Sequence, residues 1–243
     1  MSTTVSAPLI ISSYKFVEQL LAETLQVIPY CAEHENVWSP RLSTVLLEAC
    51  SQLDSLWKFE LNQDMPVENT QRTIVDYYQY FGRRVAGRWL VLWVDNGERI
   101  QPFEAWNSVA DYSKESYQPL EWWRAYTDIK HDRYLNHSKA TLKNAVNAVS
   151  ALFISIAHSP ACAESLAQEG FIPSPSSYDM SAKELLADYS GVSGVVAETK
   201  LFSHPIVPGT KSQPGKLFVV TKRYHSGSYR FRNWCSQNGI SFY

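Results

Sequence analysis

The chain has 243 residues, of which 45% are hydrophobic and 19% are charged. This composition fits a globular protein with enough apolar side chains to bury a core. The eight Trp, fourteen Tyr and ten Phe predict an aromatic-rich core or oligomer interface, because aromatic side chains bury large areas.

Three features narrow the class of protein. The amino-terminal segment has no basic residue before Lys15, so it lacks the charged start of a secretory signal. The most apolar run, Ala148–Ala157, is shorter than the roughly 20 residues that span a bilayer. The four cysteines contain no C-x-x-C pair and fit neither a zinc site nor a compact disulfide framework. We therefore expect a cytoplasmic protein with reduced thiols, no cofactor and no membrane association.

The charge differs strongly between the body and the tail. Seven of the 22 basic residues follow Thr199, in a segment without Asp or Glu. They are Lys200, Lys211, Lys216, Lys222, Arg223, Arg230 and Arg232. The first 198 residues therefore hold 15 basic and 24 acidic residues, a net charge of −9 against +7 for the tail. Such a tail is either an arm for a polyanion or a segment that docks on the acidic body of its own or a partner subunit.

The spacing of apolar residues predicts a mostly helical protein. Helices are expected in Tyr14–Ile28, Trp38–Leu61, Glu68–Gly87, Tyr117–His131 and Ser138–Ser159, with short ones at Ala161–Gln168 and after Ser181. Ser39 and Ser138 are the predicted N-caps, and Pro40 and Pro119 the predicted first-turn prolines. A polar link, DRYLNH, is expected before Ser138, and Gly170 is the expected terminator of the short helix.

Two segments favour β-structure instead. The segment Arg88–Phe103 is rich in β-branched and aromatic residues around Asn96-Gly97, a favoured hairpin turn. The segments KLFVVTKRY and SYRFRNW flank His225–Gly227 and predict a terminal hairpin. The expected fold is a four- to five-helix bundle (39–170) with a small hairpin insertion. It is preceded by a helix and linker (1–38) and followed by a β-rich extension (171–243).

Three side chains form a candidate functional stripe. Because an α-helix turns about 100° per residue, Arg124, Asp128 and His131 share one face. Histidine transfers protons near neutral pH, and arginine stabilises charge on phosphoryl oxygens. No metal is needed when an RNA 2′-hydroxyl is the nucleophile. The stripe also fits an ordinary helix, with an i, i+4 ion pair and a histidine favoured by the helix dipole.

The segment RAYTDIKH, with six residues between Arg124 and His131, resembles the Arg-x4–6-His signature of the HEPN superfamily of helical-bundle proteins. LLEACSQLDSLW resembles the early HEPN helix that carries a polar residue into the bundle interior, with Glu48 as the matching acid. The helix Ser138–Ser159 resembles the packing helix after the motif. The resemblance extends over Arg41–His158 and is to prokaryotic HEPN-like proteins of mostly unknown role.

The resemblance implies a homodimer whose motif helices face one another across a shared cleft. Many members are metal-independent ribonucleases of toxin–antitoxin, abortive-infection and other anti-phage systems, which implies RNA and a cognate antitoxin or defence protein as partners. Arg124 would bind phosphate and stabilise transition-state charge, His131 would transfer a proton, and Lys130 and Arg133 would contact RNA. Active members usually have a polar residue directly after the arginine, where this chain has Ala125; Asp128 is the candidate substitute.

Other candidates each have two interpretations. In the tail, Lys222, Arg223, Arg230 and Arg232 alternate with aromatic residues, which fits RNA binding or the basic edge of a packed hairpin. Arg83, Arg84 and Arg88 form either a basic ridge for RNA or a solvated helix face. His137 with His131, and Cys31 with His34, are better explained as loop residues than as metal ligands.

Two functional hypotheses follow. The first is a HEPN-like ribonuclease that leaves a 2′,3′-cyclic phosphate. The second is a non-catalytic HEPN-like bundle that binds a protein or nucleic acid, in which Ala125 reflects lost catalysis. The chain has no G-x-S-x-G, P-loop, H-E-x-x-H or Rossmann glycine pattern, so the common hydrolase and nucleotide-binding folds have no support.

Overall fold

The computed structural model describes residues 6–66, 71–85, 90–94, 97–107, 109, 111–172, 181, 194–206 and 219–220. These residues are mostly helical. The helices are α1 (Ala7–Leu25), α2 (Pro40–Asp64), α3 (Ile74–Val85), α4 (Glu121–His131), α5 (Arg133–Asn136), α6 (Leu142–Ala157) and α7 (Ala163–Gln168). The strands are β1 (Val91–Trp93), β2 (Arg99–Ile100), β3 (Gly194–Glu198), β4 (Phe202–Ile206) and β5 (Val219–Val220). Within these residues, no helix combines the length and the hydropathy that a bilayer crossing requires.

The chain divides into two compact units that interleave along the sequence. The helical unit contains the described residues within 12–89 and 101–155, and therefore α2 to α5 with most of α1 and α6. The sheet unit contains the described residues within 7–11, 90–100 and 156–243, and therefore all five strands with α7. The hairpin of β1 and β2 thus belongs to the sheet unit, although it lies between helices of the helical unit in the sequence.

An aromatic cluster around Trp57 forms the centre of the helical unit. Trp57, on α2, is almost fully buried, and five aromatic rings lie with their centroids 5.2–6.3 Å from it. They belong to Tyr77, Phe81, Phe103, Trp106 and Trp123. Offset and edge-to-face aromatic pairs add stability beyond the area they bury. This cluster joins α2, α3, α4 and the segment before α4.

Two of these aromatic residues make hydrogen bonds through their polar atoms. The Tyr77 hydroxyl donates to the Asp54 carboxylate at 2.7 Å, and burial, together with this bond, raises the pKa of Tyr77. The Trp106 indole donates to the carbonyl of Gln118 at 2.8 Å. Because an unpaired buried donor costs about 1–3 kcal/mol, these bonds allow the amphipathic rings to lie in the core.

The observed first residues of the helices confirm one predicted helix start and contradict two others. Ser39 caps α2 as predicted, since its hydroxyl accepts from the Leu42 amide at 3.1 Å. The predicted start of the first helix at Tyr14 was wrong, because α1 begins at Ala7. Pro119 lies before α4 and not in its first turn, because the extended Leu120 is the N-cap.

The link between α4 and α6 is more ordered than its composition predicts. The segment expected to be an irregular polar link contains α5, whose N-cap Asp132 accepts from the Leu135 amide at 3.1 Å. Ser138 was wrongly predicted as the N-cap of the next helix, since it lies in a 3-10 turn, His137–Lys139. The Thr141 hydroxyl instead accepts from the Asn144 amide at 3.2 Å, and α6 begins at Leu142.

The sheet has the strand order β2-β1-β4-β3-β5. The predicted hairpin is confirmed by antiparallel pairing of β1 and β2, with Gly97 at φ 75° in its turn. β4 pairs antiparallel with both β1 and β3, and β5 is parallel to β3. The helix predicted after Ser181, and the second strand of the terminal hairpin, lie outside the described residues. The short helix after Pro160 is confirmed as α7, and Gly170, at φ 71°, follows it as predicted.

A histidine pair lies within the sheet unit. The Nε2 atoms of His158 and His204 are 2.8 Å apart, and Nδ1 of the fully buried His204 is 2.6 Å from the carbonyl oxygen of Leu90. Nδ1–H of His204 therefore donates to this carbonyl, and its Nε2 accepts from His158. Burial lowers the pKa of His204 to about 4, an effect opposed by the bond to Leu90.

The low pKa of His204 predicts a loss of stability in acid. Below the ordinary pKa of 6.5 the unfolded chain binds a proton that the folded chain excludes, so this contribution is complete above pH 6.5 and is lost as the pH falls towards 4. The free energy of unfolding, measured in urea at pH 7 and at pH 5, should therefore change less between the two pH values in His204→Gln than in the parent protein. His34→Gln is the control, and an unchanged pH effect in His204→Gln would contradict the assignment.

The Trp57 cluster predicts a large effect of truncation. Trp57→Ala should lower the free energy of unfolding by about 3–5 kcal/mol, because it leaves a cavity among five aromatic rings. The exposed neighbour Lys58 offers a matched control, since Lys58→Ala should change stability by less than about 0.5 kcal/mol. The measurement is urea unfolding followed by circular dichroism, and equal effects of the two substitutions would contradict this account of the core.

Candidate functional site

One face of α4 is buried, and this burial determines which residues of the helix point to solvent. Its buried residues are Trp122, Trp123, Ala125, Tyr126 and Ile129. The Trp122 indole also donates to the carbonyl of Pro102 at 2.8 Å, which holds the rotation of the helix about its axis. As a result Arg124 and His131 are exposed and Asp128 is half-buried. The three residues of the predicted stripe therefore lie together on the accessible side of α4.

The position directly after Arg124, where the HEPN pattern predicts a polar residue, lies in the core. Ala125 is buried, so a polar side chain at this position would lie in the core and lose its hydration. Asp128, one turn later, is instead on the same side as Arg124. It is the acid of α4 that lies within electrostatic range of both Arg124 and His131.

Lys139 completes this arrangement. Its ammonium lies 2.6 Å from Oδ2 of Asp128, and this hydrogen bond is the main reason that the pKa of Asp128 is below its ordinary value, with smaller contributions from Arg124 and His131. Lys139 was not among the site residues predicted from the sequence. It is eleven positions from Asp128 and follows the predicted polar link. The spacing of residues within one helix therefore could not predict this pair.

The segment that follows α4 is hydrogen bonded to the carboxyl end of that helix. The Asn136 amide donates to the carbonyls of Asp128, at 3.1 Å, and Asp132, at 3.0 Å. Together with the Asp132 cap on α5 and the Asp128–Lys139 pair, these bonds fix α5 and the following 3-10 turn beside His131. The site is therefore built from consecutive segments of one short stretch, 121–139.

Lys130 and Arg133 differ in their placement. Lys130 donates to the Tyr126 hydroxyl at 3.1 Å, and this bond raises the lysine pKa, to which Asp54 of α2 also contributes. Lys130 is thus placed against Tyr126 and not with Arg124 and His131. Arg133 is exposed on α5, next to the carboxyl end of α4.

The remaining predicted residues do not join the stripe among the described residues. Lys222, Arg223, Arg230 and Arg232 lie outside the described residues, as does Arg88. Arg83 is exposed, with its guanidinium 5.9 Å from the centre of the Tyr112 ring. Glu48, the acid matched to the HEPN interior position, is half-buried and accepts from the Gln52 amide at 2.9 Å.

The two suspected histidine sites have local partners. Nδ1 of His137 lies 2.7 Å from the carbonyl oxygen of Tyr134. Nδ1 of His34 lies 2.8 Å from the carbonyl oxygen of Pro29 and 3.3 Å from Sγ of Cys31. In the part of the chain that the structure describes, no group of three or more His, Cys, Asp or Glu side chains is arranged to hold a metal.

The arginine and histidine side chains of the stripe are available to bind a ligand. Among the described residues, neither the Arg124 guanidinium nor the His131 imidazole makes a hydrogen bond, whereas the Asp128 carboxylate is bound by Lys139. A guanidinium offers paired donors that match a phosphate, and an imidazole accepts or donates a proton near neutral pH. The arrangement can therefore bind a phosphodiester and move a proton beside it.

The chain was compared with protein-family models, with curated proteins and with solved structures, and none of the three comparisons found a match. The assignment of this site therefore depends on its own geometry and chemistry.

The Asp128–Lys139 pair predicts a measurable titration shift. Lys139→Met should raise the pKa of Asp128 towards its ordinary value of 3.8, because the substitution removes the largest stabilisation of the carboxylate. The pKa is measured by following the Asp128 carboxyl carbon by NMR from neutral to acid pH. Lys143→Met, which breaks the separate 2.9 Å pair with Glu35, is the control. A pKa of Asp128 that stays low in Lys139→Met would show that the pair does not form in solution.

Proposed function

We propose that this chain is a HEPN-like ribonuclease that cleaves RNA without a metal. The observation that carries the proposal is the joint exposure of Arg124 and His131 on one side of α4. The mostly helical character of the described residues, and the fact that α4 belongs to the helical unit, also support it. In this proposal the protein acts as a cytoplasmic homodimer, with an RNA substrate and an antitoxin or anti-phage defence partner.

The proposed reaction uses the 2′-hydroxyl of the substrate as nucleophile. The 2′-oxygen attacks the adjacent phosphorus while its proton passes to the His131 imidazole. The bond from phosphorus to the 5′-oxygen breaks, and this oxygen takes up a proton from solvent. Arg124 binds the non-bridging oxygens, whose charge grows in the transition state. The products are a 2′,3′-cyclic phosphate and a 5′-hydroxyl.

Asp128 has an electrostatic role in this proposal. It is held by Lys139 at 2.6 Å and interacts with the charges of Arg124 and His131. An ionised carboxylate beside the imidazole stabilises the imidazolium that forms when the proton is transferred. The bond to Lys139 keeps the carboxylate from folding onto Arg124, which leaves the guanidinium available to a phosphate.

A second candidate function is a non-catalytic HEPN-like module that binds nucleic acid or a protein. The observation that favours it is Ala125, which is buried at the position where active members usually have a polar residue. In this alternative, Arg124 and His131 bind phosphate without moving a proton. RNA binding would then be present and cleavage absent.

The two functions are separated by incubating the purified protein with labelled RNA in EDTA. We expect cleavage by the parent protein and a loss of about 100-fold or more in Arg124→Ala and His131→Ala, which is the usual size of general acid–base and charge-stabilising contributions. Product ends are identified as 2′,3′-cyclic phosphates, and a substrate with a 2′-deoxy nucleotide at the cleavage position should resist.

The controls are Arg41→Ala, which removes an exposed arginine paired with Glu23, and His34→Ala. Both should cleave like the parent protein, and circular dichroism checks that all variants are folded. Equal background hydrolysis in all variants would remove the ribonuclease proposal. RNA binding that persists without cleavage, and that weakens in Arg124→Ala, would support the second candidate.

A further inference from the structure

The half-buried ring of Tyr117 lies just before α4 and is held by the aromatic core. It packs edge-on against the ring of Tyr78, with centroids 5.4 Å apart. Tyr78 is fully buried and packs in turn against Trp106, with centroids 5.2 Å apart. The Trp106 indole also donates to the carbonyl of Gln118, the residue after Tyr117. These contacts fix the position of the Tyr117 ring beside the start of α4.

The hydroxyl of Tyr117 is close to the side chain of Arg124. This hydroxyl accepts a hydrogen bond from the backbone amide of Leu120, and the Leu120 carbonyl accepts from the Arg124 amide at 3.0 Å. Because helical side chains lean towards the amino terminus of their helix, the Arg124 side chain extends towards the same hydroxyl. The guanidinium is close enough for its charge to lower the pKa of Tyr117. The phenol and the guanidinium are therefore neighbours at the amino-terminal end of the stripe.

Both neighbours are donors that lack an acceptor. Burial raises the pKa of Tyr117 to about 12, although the Leu120 bond and Arg124 oppose this rise, so the phenol keeps its proton at neutral pH. Its oxygen accepts from Leu120, and its O–H is left to donate. Among the described residues, neither this O–H nor the Arg124 guanidinium has a hydrogen-bond acceptor. Donors that meet without an acceptor from the protein are suited to an anion.

The acids around Arg124 keep their charge. Asp128 is bonded to Lys139, and Glu121, one turn before Arg124, lies within electrostatic range of Lys143. An excess of positive charge therefore does not select the ligand. The selection comes from the direction of the donors, because a guanidinium offers paired N–H groups and the phenol adds an O–H beside them. Three donors from two side chains match the several oxygens of a phosphate.

We infer that Tyr117 is a further substrate-binding residue, whose hydroxyl donates to a non-bridging oxygen of the phosphate that Arg124 binds. The inference rests on the proposed function and adds a residue to the same site. His131 lies seven residues beyond Arg124, roughly 10 Å along the helix axis, whereas Tyr117 precedes the helix. Tyr117 therefore orients the phosphate from the side of Arg124 that is opposite His131, and it takes no part in proton transfer.

The first experiment measures phosphate binding in the absence of RNA. The full chain is titrated with inorganic phosphate at constant ionic strength, and the backbone amide signals of α4 are followed by NMR. Tyr117→Phe should raise the Kd about tenfold, the usual effect of losing one hydrogen bond to a charged group. In an Arg124→Ala background the same substitution should have a much smaller effect, because both side chains act on one phosphate.

Tyr112→Phe is the matched control. Tyr112 is also half-buried and also packs against Tyr78, with centroids 5.4 Å apart, but its cationic neighbour is Arg83. Removal of its hydroxyl should leave the Kd for phosphate unchanged. Circular dichroism checks that the variants are folded.

The second experiment measures RNA cleavage by the same variants. A contact that is made equally in the ground state and the transition state changes KM and leaves kcat unchanged. Tyr117→Phe should therefore raise KM about tenfold, with no change in kcat or in its pH profile. A lower kcat at an unchanged KM would contradict a binding role.

Three results of the phosphate titration would overturn the inference. These are no phosphate binding by the parent protein, an unchanged Kd in Tyr117→Phe, and an equal loss in Tyr112→Phe. Phosphate binding that depends on Tyr117, without RNA cleavage by the parent protein, would sustain the inference and remove the ribonuclease proposal. RNA cleavage that Tyr117→Phe leaves unchanged would remove the inference and leave the ribonuclease proposal standing.

Discussion

The packing of one face of α4 against the aromatic core is the constraint on which the candidate site depends. Trp123 stacks on Trp57, and Trp122 donates to the carbonyl of Pro102, so α4 can neither rotate nor slide without breaking several contacts in a close-packed interior. Because side chains seven residues apart share a face, this fixed rotation places Arg124 and His131 together in solvent. The position of the reactive groups is thus a consequence of core packing on the other side of the helix.

The second constraint is the closure of the chain after α4. Asp128 binds Lys139, and Asn136 donates back to carbonyls at the end of α4, so the segment folds onto the helix that precedes it. An exposed ion pair contributes little to stability on its own. Its effect here is positional, because it engages the carboxylate of Asp128 and holds an aromatic, basic turn beside His131.

These two constraints fit both proposed functions, catalysis and binding, and proton transfer is what distinguishes the two proposals. A guanidinium and an exposed imidazole are sufficient to hold a phosphate, whereas cleavage also needs the imidazole to accept a proton from a correctly placed 2′-hydroxyl. Active HEPN members usually have a polar residue at the position where this chain has the buried Ala125. Here Asp128 provides a charged group one turn later. Asp128 therefore holds a negative charge near Arg124 and His131, which is the arrangement that the proposed ribonuclease requires.

The sequence alone determined the helical class, the Ser39 cap, the β1–β2 hairpin and the stripe of Arg124, Asp128 and His131, because each depends on local periodicity or on a short turn signal. Only the tertiary structure decided that Lys139 pairs with Asp128, that Lys130 lies against Tyr126, and that β1 joins a sheet with β4 more than a hundred residues later. It also decided that the polar link forms α5 and displays Tyr134. These outcomes depend on which segments meet in space, and the spacing of residues along one element carries no information about contacts between elements.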